Sequence, residues 1–228
     1  DGIESAFAIG FGATLAAGIL LWLPNRLRRR DLNIRDGFLV TALFWIVLGL
    51  FGAIPLWITP QLDLSPISAI FESISGLTTT GATVITGLDA LPRSLLLYRQ
   101  LLQWLGGIGI IVLAVAILPM LGIGGMQLYR AESAGPSKDR KLTPRITSTA
   151  KALFGIYLLL TVACALSYFA AGMSPFDALC HAFSTVAIGG FSTHDASLGY
   201  YEENAILLVS SLFMLFSAIN FGLHFVAL

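Results

Sequence analysis

Five long stretches of the chain, residues 5–25, 37–62, 100–129, 152–176 and 204–228, contain no Asp, Glu, Lys or Arg. A helix rises about 1.5 Å per residue, so roughly 20 such residues cross a hydrocarbon core about 30 Å thick. All five read as spanning helices. Between the second and third, and again between the fourth and fifth, lie shorter apolar segments at 66–76 and 175–185. Each reaches only about halfway across a bilayer at the same rise per residue. They read as half-helices that enter the membrane and return to the side they came from, with a helix lying on the membrane surface as the alternative. The pattern is that of an all-α membrane protein. One leading transmembrane helix with its basic linker occupies 1–35, a span/half-helix/span unit occupies 36–129, and a connection plus a second such unit occupies 130–228.

Composition supports the membrane reading. Of the 228 residues 56% are hydrophobic and 11% charged, and the mean hydropathy is +0.83, values unsuited to a water-soluble globule or a disordered chain. The 13 basic and 13 acidic residues cancel, so no global field argues for nucleic acid. Cys164 and Cys180 both lie in apolar stretches and make no secreted-type disulfide framework. The arginines follow the first apolar run instead of preceding it, which is not the order of a signal peptide. The chain opens at Asp1 and not at Met, as a piece of a longer protein would.

Charge placement sets the expected sidedness. Arg26, Arg28, Arg29, Arg30 and Arg35 follow the leading span, and Arg130, Lys138, Arg140, Lys141, Arg145 and Lys151 fill the middle connection. Basic residues near span ends stay cytoplasmic, which puts 11 of the 13 on that face and leaves only Arg93 and Arg99 elsewhere. Asp1, Glu4, Asp63, Asp89, Asp195, Glu202 and Glu203 fall on the outer face, with Glu72 and Asp177 on the dipping segments. An acidic outer face concentrates cations; the plainer reading is of solvated loops.

The two units repeat. At an offset of 109 residues Ser65-Pro66 aligns with Ser174-Pro175, Ala69 with Ala178, Ser75 with Ser184 and Gly81 with Gly190. Both enter from the same side, a parallel duplication unlike the inverted repeats of many carriers. After each half-helix comes a Gly/Thr-rich return, residues 77–83 (LTTTGAT) and 186–193 (VAIGGFST). Uncoiled backbone at membrane depth is tolerated only where it is buried in protein or lines a cavity. Glycine admits positive φ, so successive carbonyls can turn to one axis and replace the hydration shell of an alkali cation. The half-helices point their negative carboxyl ends toward the same place.

The motifs at 77–83, 99–119 (RQLLQWLGGIGIIVLAVAILP), 122–132 (GIGGMQLYRAE) and 183–196 (FSTVAIGGFSTHDA) resemble the bacterial Trk/Ktr potassium transport family, TrkH type, over nearly the whole chain. The resemblance implies tandem pore repeats of potassium-channel type in the bacterial inner membrane. It makes Gly81 and Gly190 filter glycines, with Thr79 and Thr80, and Ile188 and Gly189, before them, and Ala82 and Phe191 after. Potassium would be held by backbone carbonyls, with sodium as a second candidate ion. The resemblance further implies a homodimer and a cytosolic nucleotide-binding regulatory subunit of TrkA type, which the basic middle segment, otherwise suited to anionic headgroups, would meet. Family members carry four repeats in one chain, with a gating loop in the third and an arginine below the filter in the fourth; two repeats are present here.

Other residues need weighing. Glu72 and His181 occupy equivalent positions in the half-helices, where an ionisable group is costly. Either they tune cation occupancy or they are hydrogen-bonded scaffold behind the returns. Gly106, Gly107 and Gly109 in the third span, and Gly122, Gly124 and Gly125 beyond it, read as close-packing positions, with a bend as the alternative. Two rival functions compete with this reading. An intramembrane hydrolase would need Ser73 or Ser75 with His181, His194 or His224, but Ser73-Ile74-Ser75-Gly76 lacks the leading glycine of a nucleophile elbow. An alternating-access carrier is disfavoured by the parallel duplication.

Overall fold

A computed structural model describes residues 2–26, 34–116 and 146–219. The basic residues at 28–30 and 130–145, Gly122 to Gly125 and His224 lie outside the described residues. The described residues form helices α1 (Gly2–Asn25), α2 (Ile34–Ile58), α3 (Pro66–Leu77), α4 (Arg93–Ala116), α5 (Ile146–Ala170), α6 (Pro175–Val186) and α7 (Asn204–Ala218), with single 3-10 turns at Leu88–Ala90 and Ser197–Tyr200. No strand occurs among them.

Four of the five long helices begin ahead of their charge-free runs, α4 by the most. Helix α4 begins at Arg93, seven residues before the charge-free run, and both arginines on it are partnered. Arg93 lies over the Phe176 ring at 5.4 Å, and Arg99 is fully buried in an ion pair. The helix continues unbroken through Gly106, Gly107 and Gly109, and these glycines make room for close neighbours. A Cβ at Gly106 would collide with the Leu77 carbonyl, and one at Gly107 would come to 2.5 Å from the Tyr157 hydroxyl.

Each half-helix starts the same way. Ser65 and Ser174 sit in extended conformation, accept from the backbone N–H of Ser68 and Asp177, and precede a proline. Proline suits the first helical position because its missing N–H would have had no partner there. The half-helices lodge between their flanking spans, α3 against α2 and α4, and α6 against α5 and α7. Helix α4 also packs on α5 and α6 and joins the two units. Trp104 lies at this junction, its indole N–H donating to Thr161 at 3.1 Å and its ring 5.2 Å from Phe183, so it is a core residue and not part of an interfacial belt. Trp22 and Trp57, near span ends, are exposed.

Apolar surface faces outward along the long helices. Phe11, Leu20 and Leu21 of α1 are 70–74% exposed, and Leu159, Leu166, Leu208 and Leu215 on α5 and α7 are also exposed. Two of the helices are long and apolar enough to cross a membrane by length and composition, Gly2–Asn25 and Ala152–Ala170. Cys164 and Cys180 are buried and unpaired.

Candidate functional site

Both returns adopt a conformation that the glycines only partly foretell. In the first, Thr79 (φ 56°) and Gly81 (φ 76°) are left-handed; in the second, Ile188 (φ 54°) and Gly190 (φ 85°) are, at the same two positions of the repeat. Thr80 and Gly189, between them, have no positive φ. Left-handed conformation is rare for β-branched residues and costs on the order of 1–3 kcal/mol. Two such residues at matching positions therefore mark backbone held in shape by its surroundings.

The hydrogen bonds show what holds it. Thr78, Thr79 and Thr80 donate their N–H groups to the carbonyls of Ile74, Gly76 and Ser75 at 2.8, 3.0 and 2.9 Å. Ala187, Ile188 and Gly189 donate to Phe183, Thr185 and Ser184 at 3.2, 3.0 and 2.8 Å. These are the same donor and acceptor positions 109 residues apart. The N–H edge of each return is thus turned back onto the end of its own half-helix. The carbonyls of Thr79, Thr80, Gly81, Ile188, Gly189 and Gly190 accept no hydrogen bond among the described residues. Thr80, Ile188 and Gly190 are exposed and Thr79 and Gly81 half-buried, so these carbonyls are open to water or to a ligand. The returns also meet: a Cβ at Gly81 would strike the Gly189 carbonyl oxygen.

The two flanking positions behave differently. The Ala82 carbonyl accepts from the Ser75 hydroxyl at 2.6 Å, which ties it to α3. Phe191 is buried, its N–H donating to Gln103 Oε1 at 3.2 Å.

Behind the returns, Glu72 and His181 do equivalent work. The Thr83 hydroxyl donates to both Glu72 carboxylate oxygens at 2.9 and 3.0 Å, and Val84 N–H donates to Glu72 Oε2 at 3.0 Å. His181 Nδ1 lies 2.9 Å from the Asp177 carbonyl and Nε2 3.0 Å from the Ser192 hydroxyl. A carbonyl only accepts, so Nδ1 carries the proton, and in the neutral ring the Ser192 hydroxyl donates to Nε2. Ser192 occupies Thr83's position in the second repeat. The hydroxyls also match in what they accept, from Ile85 N–H and from His194 N–H, each at 3.1 Å. Glu72 and His181 are thus each hydrogen-bonded to the return they lie behind, the arrangement a scaffold role requires. Among the described residues no hydrogen bond joins His181 to Ser73 or Ser75.

A further arginine completes the site. Arg99 Nε donates to Glu72 at 2.8 Å, Nη2 to Thr83 at 3.0 Å and Nη1 to the Ser192 carbonyl at 3.3 Å, with its guanidinium 4.4 Å from the centre of the Phe191 ring. It touches both returns. The sequence signal for it was its isolation as a base away from all but one of the others, near a lone acid in an apolar segment. Gln103 carried no signal, since amides are common in helices.

Beyond the returns the loops of the two units are laced together. The Asp195 carboxylate accepts from Gly87 and Leu88 N–H, both at 3.0 Å, and Asp89 bonds His194 Nδ1 and accepts from Asp195 N–H at 3.3 Å. Tyr200 stacks on His194, the ring centres 3.6 Å apart. These acids therefore do more than solvate loops.

Comparison with known proteins identifies the family. The family model for TrkH, described as a cation transport protein, matches residues 3–228. The Trk system potassium uptake protein TrkH of Halomonas elongata is 66% identical over 227 residues, 100% of this chain and 47% of that protein. The protein of the same name from Escherichia coli K12 is 58% identical over 99% of this chain and 47% of its own length. The crystal structure of the potassium transporter TrkH from Vibrio parahaemolyticus superposes with a TM-score of 0.85 at 55% identity, covering 99% of this chain and 45% of that one. The chain spans about half the length of these relatives.

Proposed function

The chain belongs to the TrkH family of cation transport proteins, a membrane transporter family and not an enzyme family, and on that premise we propose that it forms part of a potassium uptake system, passing potassium along the paired returns. Its relatives are potassium uptake proteins by name. The observation that supports conduction through backbone is the matched pair of left-handed positions, Thr79 with Gly81 and Ile188 with Gly190, whose neighbouring N–H groups are consumed behind the returns. Potassium is cargo here: it sheds water and is re-coordinated by carbonyls of Thr79, Thr80, Gly81, Ile188, Gly189 and Gly190. Ala82 and Phe191 bound the filter, and their contacts to Ser75 and Gln103 fix its outer ends. The half-helices add the negative ends of their dipoles.

The repeat boundaries that fit this reading are 36–129 and 130–228, after a leading helix at 1–35. The protein crosses the bacterial inner membrane several times with its basic connections inside. It works as a homodimer with a cytosolic nucleotide-binding subunit of TrkA type. The test is potassium and sodium flux of the complete protein in liposomes. Gly190→Ser keeps open space around the new side chain but strains a φ of 85°, so discrimination of potassium from sodium should fall several-fold; wild-type ion ratios would remove Gly190 from the filter.

A further inference from the structure

Helix α4 belongs to the first unit, yet it grips the backbone of the second. Arg99 and Gln103 lie four residues apart, one turn of the same helix face. Gln103 Oε1 takes the N–H of Phe191, and Arg99 Nη1 gives a hydrogen bond to the carbonyl of Ser192. One donor and one acceptor on α4 therefore bracket the chain just beyond Gly190. The contact is close along its length, since a Cβ at Gly189 would collide with the Gln103 side chain. Both side chains are fully buried. The second unit offers no reciprocal grip: 109 residues on, Leu208 stands where Arg99 does and Leu212 where Gln103 does, both with exposed side chains.

We infer that Arg99 and Gln103 are positioning residues for ion selectivity, through which the first repeat sets the backbone of the second repeat's return. The inference rests on the carbonyl-filter reading above. A filter discriminates by the number and placement of its oxygens, and the return from Ile188 to Phe191 contains a strained β-branched residue and two glycines, so its own chain preferences do not hold it. Its N–H groups at Ile188 and Gly189 are held by α6; the next held N–H, at Phe191, is held from α4. Arg99 is also fixed by Glu72 and Thr83 of the first repeat. A shift of either return is thereby felt by the other.

Two substitutions in the complete transporter test this. Arg99→Lys keeps the positive charge beside Glu72, but a single ammonium does not span Glu72, Thr83 and Ser192 together as the planar fork does. Gln103→Met keeps the volume and removes the acceptor; the Gln103 amide nitrogen has no partner among the described residues to lose. In liposome flux assays each should lower the potassium-to-sodium ratio several-fold while potassium flux per folded molecule stays within about a factor of three. A merely structural role would lower the yield of folded protein and leave the ratio of the recovered fraction unchanged. Gly190→Ser is run alongside. If it lowers the ratio and neither α4 variant does, the filter reading stands and the positioning role is overturned. If none of the three moves the ratio, the filter reading itself fails and the role with it. Gln103→Met alone decides where Arg99→Lys is not recovered folded.

Discussion

At the scale of single residues, the site is organised by what each buried polar group must satisfy. Glu72 lies in an apolar segment and is matched by Arg99; in the second repeat the same position is His181, which needs no counter-ion when neutral, and Arg99's position is Leu208. The acid and base appear together in one repeat and are absent together in the other, as the cost of an unpaired buried charge demands. Glu72→Gln should therefore destabilise the protein by about 3 kcal/mol, the low end for breaking a buried pair, while leaving the apparent affinity for potassium unchanged. Thermal melting in detergent and uptake kinetics check both halves; a loss of affinity with no loss of stability would assign Glu72 to the ion instead.

Among the elements, the half-helices are the most legible and the returns the least. Residues 66–76 and 175–185 were readable as short helices opened by Ser-Pro, and they end one residue later, at Leu77 and Val186. Their caps are local: Ser174 accepts from Asp177 N–H at 3.1 Å and donates to its carboxylate at 2.7 Å. Ser174→Ala should cost about 1 kcal/mol, measurable as a lower melting temperature with ion selectivity intact. The returns were located by their glycines, but Thr79 and Ile188 are left-handed against their own preference. Their shape comes from Ser75, Gly76, Ser184 and Thr185 at the ends of the half-helices, and composition does not announce that.

Across the whole molecule, the two units are tied at two depths, by Arg99 and Gln103 behind the returns and by Asp89, His194 and Asp195 outside them. The outer tie is sensitive to acid. The Asp89 carboxyl is held below its usual 3.8, foremost by its hydrogen bond to His194 and then by Asp195 N–H. A depressed folded-state pKa stabilises only while the group is charged, so the contribution is present above pH 3.8 and is lost as pH falls through the lowered value. The gap in melting temperature between the native protein and Asp89→Asn should be present at neutral pH and close below 3.8; a gap undiminished in acid would mean that the tie does not depend on this charge.

Hydrophobic run lengths, the 109-residue offset and the Ser-Pro openings determined the helices, their order and the place of both returns, because each depends on neighbours in sequence and on the thickness of a bilayer. Tertiary structure alone decided that Arg99 joins Glu72 to Ser192, that Gln103 holds Phe191, and that Ala82 turns back to Ser75. Those pairings cross up to 93 residues of chain, and a side chain's partner at that separation follows from how helices pack, which no local pattern of apolar and polar positions encodes.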